Sequence, residues 1–127
     1  MSAKRDVGLY LEDILESIKR IEKYTKTVSK KALEQNIDIQ DAVVRRLEII
    51  GEAVKNIPPK LKTKYREVPW RKIAGTRDKI IHHYFETDIE MVWGIIKNDL
   101  QPLKRHIKKM LQEVDSGSKA GMTSFFL

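Results

Sequence analysis

Residues 77–84 read Arg-Asp-Lys-Ile-Ile-His-His-Tyr, so the imidazole of His82 follows the guanidinium of Arg77 by five residues and precedes the phenol of Tyr84 by two. An imidazole with an ordinary pKa of about 6.5 moves protons near neutrality. A guanidinium is permanently charged and forks onto two phosphate oxygens. Metal-free cleavage of RNA needs such groups: a base for the 2′-hydroxyl, an acid for the leaving 5′-oxygen, and a cation for the charge collecting on phosphorus. His82 suits the acid–base role and Arg77 the phosphate clamp. Asp78 lies four residues before His82, so on a helix it shares that face and can accept the second imidazole N–H. Tyr84 can stack on a base, hydrogen-bond a phosphate or accept a modification. The bland readings are a dipole partner for a histidine near a helix C-terminus, an arginine extending to water and a core tyrosine with one wet end. His83 keeps the first of these, and His106, on the last helix, reads as exposed.

The elements that must position these groups are helices. Val7, Leu11, Ile14, Ile18, Ile21, Thr25 and Val28 recur at steps of three and four, with Asp6 as N-cap. A short turn or helical piece follows near residues 30–36. A second stripe, Val43, Leu47, Ile50, Val54 and Ile57, starts near Asp38 and stops at Pro58-Pro59. Residues 60–68 read as a connector. Pro69 suits the first turn of a third helix reaching about His83. Thr87 and Glu90 form a capping box for a fourth, on Ile89, Val92, Ile96, Leu100, Leu103 and Ile107, running to about Val114 and kinked at Pro102. No strand-like alternation of useful length and no repeat occur. The expectation is an all-α fold, an antiparallel up-and-down bundle of four main helices, in residues 1–114. A flexible tail over 115–127 follows.

One straight helix does not unite the candidate groups. At about 100° per residue, Arg77 and Tyr84 share a face, while His82 lies about 140° from Arg77. Either the helix ends before His82, or an arginine reaches in from a second subunit. Arg77 and Tyr84 on an otherwise apolar face also argue for at least a homodimer.

The chain has 127 residues, 41% of them hydrophobic, enough for one folded domain. The absence of cysteine excludes disulfides and thiolate chemistry, and points to the cytoplasm. No signal-peptide core and no membrane-length apolar run appears. A net charge of +7 suits a polyanionic partner or simple solubility. No Gly-rich phosphate loop, His-Glu-x-x-His motif or carboxylate cluster is present, so neither cofactor nor metal is expected. Glu12 and Asp13 read as a solvated face. Arg45, Arg46 and Glu52 read as supports of a cleft or as ion pairs within the bundle. Trp70 and Trp93 read as core.

The pattern Arg-x4-His-x-Tyr resembles the motif of the HEPN superfamily, specifically its HepT-like branch. So do residues 10–15, the stretch from Gln40 to Ala53, Val68-Pro-Trp-Arg71, the run from Arg77 to Asp88, and Val92-Trp93. The resemblance covers roughly residues 6–113. It implies a small helical ribonuclease, a dimer with paired motifs at an interface cleft, in which Arg77 and His82 carry the activity. It further implies a type VII-like toxin–antitoxin pair with a minimal nucleotidyltransferase (MNT-type) antitoxin that transfers AMP to Tyr84. The alternative is a non-catalytic helical subunit that binds nucleotide or presents substrate to that nucleotidyltransferase.

Overall fold

The computed structural model describes residues 6–82 and 89–126, with side chains described over 6–79 and 89–114. The helices are α1 (Val7–Thr25), α2 (Lys30–Gln35), α3 (Ile37–Lys55), α4 (Pro59–Lys64), α5 (Trp70–His82), α6 (Ile89–Gly94), a π-helical turn (Ile95–Asp99) and α7 (Leu100–Phe126). No strand occurs among the described residues. The four main helices are α1, α3, α5 and the run from α6 through α7. The short helical piece expected near residues 30–36 is α2, and the segment read as a connector holds α4.

The sequence stripes form the core. Leu11, Ile14, Ile18 and Ile21 of α1 pack with Val43, Leu47, Ile50 and Val54 of α3, and with Leu100, Leu103, Ile107 and Met110 of α7. All are nearly or fully buried. Burying each such side chain contributes on the order of 1.5–3 kcal/mol. Glu22 of α1 meets Gln101 and Lys104 of α7, while Gly8 lies opposite Val114, so α1 and α7 run antiparallel. Among the described residues no helix is long and apolar enough to cross a membrane.

Local chemistry sets the helix ends. Asp6 caps α1, its Oδ1 accepting from the Gly8 amide at 3.1 Å. Asn36, not Asp38, caps α3, accepting from the Ile39 amide at 3.1 Å. Asp38 lies in the first turn, where its charge still favours the helix dipole. Gln40 is buried and donates to the carbonyls of Leu33 and Glu34, satisfying the end of α2. The Trp70 indole donates to the Tyr65 carbonyl at 3.0 Å and packs in the core, as its sequence context suggests. Thr87 of the expected capping box lies outside the described residues.

Pro102 acts one turn earlier than expected. The Leu100 amide donates to the Ile95 carbonyl, five residues back. This wider π turn sits just before a residue that cannot donate, where the α ladder would break anyway. The buried positions therefore step from Ile95 to Leu100, and Ile96, expected in the stripe, is only partly buried. Beyond Val114 the helical backbone continues to Phe126, past the boundary that the hydrophobic stripe suggests.

Candidate functional site

Arg77 is positioned by a close helix crossing. Gly51 of α3 faces α5 so closely that a Cβ on it would lie 2.8 Å from the Arg77 Cβ. Only a glycine lets the two backbones approach this far. The crossing fixes the root of the arginine and sets its guanidinium beside the next residue on α3: Arg77 Nε lies 3.3 Å from Glu52 Oε2. Arg77 Nη1 is 3.7 Å from Asp78 Oδ1, and Lys55 Nζ is 3.6 Å from the same oxygen.

Arg77 is thus neither buried nor unpaired. Its side chain is 34% exposed, so the difficulty of burying an unpaired arginine does not argue for a dimer. The pairing with Glu52 is the interaction expected within the bundle. At this exposure it contributes no more than about 1 kcal/mol and leaves the guanidinium free to exchange partners.

The guanidinium opens onto a groove of about 300 Å³ between α1, α3 and α5. Tyr10, Asp13, Arg45, Glu48 and Glu52 share its walls with Arg77. Asp13 is half-buried there and not on a solvated face, while its neighbour Glu12 is exposed as expected. The α1 stripe alone cannot reveal this, because the groove exists only once α3 and α5 are docked. Arg45 reaches the groove. Arg46 instead turns toward α1, where its charge acts on Glu16. The Arg20 guanidinium, at 2.8 Å, holds the Glu16 carboxyl below its usual range, with Arg46 a smaller contributor.

The α5 backbone is helical through His82. Of the two ways to reconcile Arg77 with His82, an early helix end is therefore removed. Within one chain the two residues leave the α5 axis about 140° apart. Asp78 occupies the position one turn before His82, and its carboxylate engages Lys55 and Arg77. The side chain of His82 and all of His83 and Tyr84 lie outside the described residues.

A second cavity, about 110 Å³, lies between α3, α5 and α7, under Ile73, Ile95, Pro102 and Leu103. Its walls are mostly apolar, with Lys72, Thr76, Asn98 and Asp99 among them, and neither Arg77 nor Glu52 reaches it. His106, read from sequence as exposed, is half-buried at this cavity with its Nδ1 3.6 Å from Glu67 Oε1. Trp93 departs from its expected core place: it is partly exposed, and Lys97 Nζ lies 4.6 Å from its ring centroid.

Comparison with known proteins adds to this geometry. A family model described as Ribonuclease HepT-like matches residues 14–110. The protein called "Probable ribonuclease HepT" from Thermococcus cleftensis is 44% identical over 84% of this chain and 97% of its own. "Putative RNase MJ1216" of Methanocaldococcus jannaschii is 40% identical over 88% of this chain and 93% of its own. "Gamma-glutamylcyclotransferase and putative RNase MJ0434" of the same organism is 44% identical over 88% of this chain, which spans only 50% of that relative. No solved structure matches the chain.

Proposed function

The chain belongs to the HepT-like ribonuclease family, and from that footing we propose that it is a metal-independent endoribonuclease whose site is completed across a homodimer. The observation that supports this reading best is the unbroken α5. It holds Arg77 at the Gly51 crossing and carries His82 away on another face.

In this reading Arg77 leaves Glu52 to grip the scissile phosphate, and charge growing on the phosphoryl oxygens strengthens that grip in the transition state. His82 of the facing subunit takes the 2′-hydroxyl proton, and the freed oxygen attacks phosphorus. The leaving 5′-oxygen takes a proton from water and departs, giving a 2′,3′-cyclic phosphate, and the His82 imidazolium returns its proton to solvent. Asp78 holds the imidazole orientation. DNA, lacking the nucleophile, is inert. The wider setting is a toxin neutralised by an MNT-type nucleotidyltransferase, with Tyr84 as AMP acceptor. A group carrying negative charge there repels the substrate phosphate.

The test is RNA cleavage in EDTA by wild type beside His82→Ala. Cleavage by wild type alone is expected. Activity lost in EDTA and restored by magnesium, or full activity in His82→Ala, overturns the reading.

A further inference from the structure

Most of the net charge of +7 is concentrated on one stretch of chain. Residues 19–31 hold Lys19, Arg20, Lys23, Lys26, Lys30 and Lys31 against a single acid, Glu22. The structure uses that acid internally, where Gln101 and Lys104 bind Glu22. Two of the cations are also taken up, Arg20 by Glu16 and Lys30 by Glu90. Lys19, Lys23, Lys26 and Lys31 remain exposed, with no carboxylate partner among the described residues.

The antiparallel pairing of α1 with α7 places these charges relative to Trp93. Counting about one turn past the Glu22–Gln101 contact along each segment brings Lys26, the residue just after α1, and Lys97 of the π turn to the same level. A further turn along the same edge lies Trp93, with Lys97 Nζ over its ring at 4.6 Å, and then the Lys30–Glu90 link that ties α2 to α6. The edge therefore carries a partly exposed indole with Lys97 against its ring and Lys26 placed nearby by the register of the two segments, both lysines exposed and neither paired with an acid among the described residues. A protein-docking face could use the aromatic ring, but such faces are depleted in lysine and would not need the excess charge. A single strand of nucleic acid uses both, because bases stack on aromatic rings while cations track the phosphates. The edge also begins near the motif, since only residues 83–88 join the end of α5 to the start of α6.

We propose that this α1–α6 edge binds single-stranded RNA flanking the cut site, with Lys97 leaving the Trp93 ring for a phosphate, one base stacking on the ring it vacates, and a neighbouring phosphate on Lys26. The inference rests on the ribonuclease reading for its substrate class, and its test separates the two.

A short fluorescein-labelled single-stranded RNA of mixed sequence is titrated with the full chain carrying His82→Ala, at several salt concentrations. Adding Lys26→Gln and Lys97→Gln together should weaken binding roughly tenfold at low salt and flatten the log–log salt slope by about 0.7 per lysine. Trp93→Ala should weaken binding by at least about fivefold with the slope unchanged, and Trp93→Phe should recover most of the loss. Lys60→Glu, exposed on α4, is the control for net charge. The proposal is overturned if the double lysine variant binds as wild type, if Lys60→Glu costs as much, or if Trp93→Phe is as weak as Trp93→Ala. Binding to anionic vesicles in place of RNA overturns it as well. A wild type that binds RNA with this dependence yet cuts none leaves the edge standing and removes the ribonuclease reading. A wild type that cuts RNA while the edge variants bind normally does the reverse.

Discussion

Gly51 and Arg77 occupy the same point of the α3–α5 crossing, with no room for a methyl group between them. A Cβ at Gly51 would sit 2.8 Å from the Arg77 Cβ, which is fixed to the backbone and cannot swing aside. Gly51→Ala should therefore push α5 off α3, costing about 1–3 kcal/mol of stability. It should also displace the guanidinium, and a shift near 1 Å can cost on the order of 10²-fold in rate. Gly75 of α5 has nothing within 4 Å of its would-be Cβ, so Gly75→Ala should stabilise by about 0.5–1 kcal/mol. Thermal melts of the two variants should move in opposite directions, and only Gly51→Ala should slow cleavage.

Arg77→Ala and His82→Ala should each abolish RNA cleavage with helix content intact, since loss of acid–base catalysis alone costs roughly 10²–10⁴-fold. His83→Ala should matter much less. If each site takes Arg77 from one subunit and His82 from the other, mixing and reannealing the two dead variants restores one site in every mixed dimer. Activity should return to roughly a quarter of wild type under random pairing in a two-fold dimer. A mixture as dead as its components, despite confirmed subunit exchange, places both residues in one subunit's site.

Co-expression with the cognate nucleotidyltransferase should add the mass of AMP at Tyr84 and silence cleavage. Tyr84→Phe keeps the ring and lacks the acceptor oxygen, so it should escape modification and retain part of its activity. AMP found by mass spectrometry on another residue defeats this assignment.

Burial and the hydrogen bond to Glu113 push the Tyr65 phenol up to about 12, above its ordinary value of 10. The raised value favours the protonated ring in the fold. Its contribution to stability is complete below about pH 10 and is lost as pH rises through about 12. An absorbance titration should find a late-deprotonating phenol that Tyr65→Phe removes, and melting temperature should fall across that window. Tyr65→Phe should flatten the decline.

The bundle was legible because three stripes at helical spacing turned out to be the core, down to Ile14, Leu47 and Ile107. The cap of α3 was misplaced by two residues because Asn36 and Asp38 are both good caps, and only the backbone angles at Asn36 decide between them. Arg77 was found by its motif, but its seat was not. Gly51 reads as an ordinary helix glycine until α5 lies across it, and Asp13 looks solvated until α3 and α5 close the groove. Trp93 misled for a related reason: its position follows a regular stripe, while the π turn just after it breaks the regularity. Contacts between elements distant in sequence leave no periodic trace.

That π turn behaves like a vernier between two scales. Each extra residue in a helix rotates everything on one side against the other by about 100°. With the five residues Ile95–Asp99 wound as a π turn, the face that α6 presents is set independently of the face that α7 locks against α1. Deleting one residue from Ile95–Asp99 would leave both halves helical and both stripes apolar. It would nonetheless turn Trp93 by about 100° relative to the α1–α7 pair, so the chain can re-aim a surface by changing its length by one while its core composition stays the same.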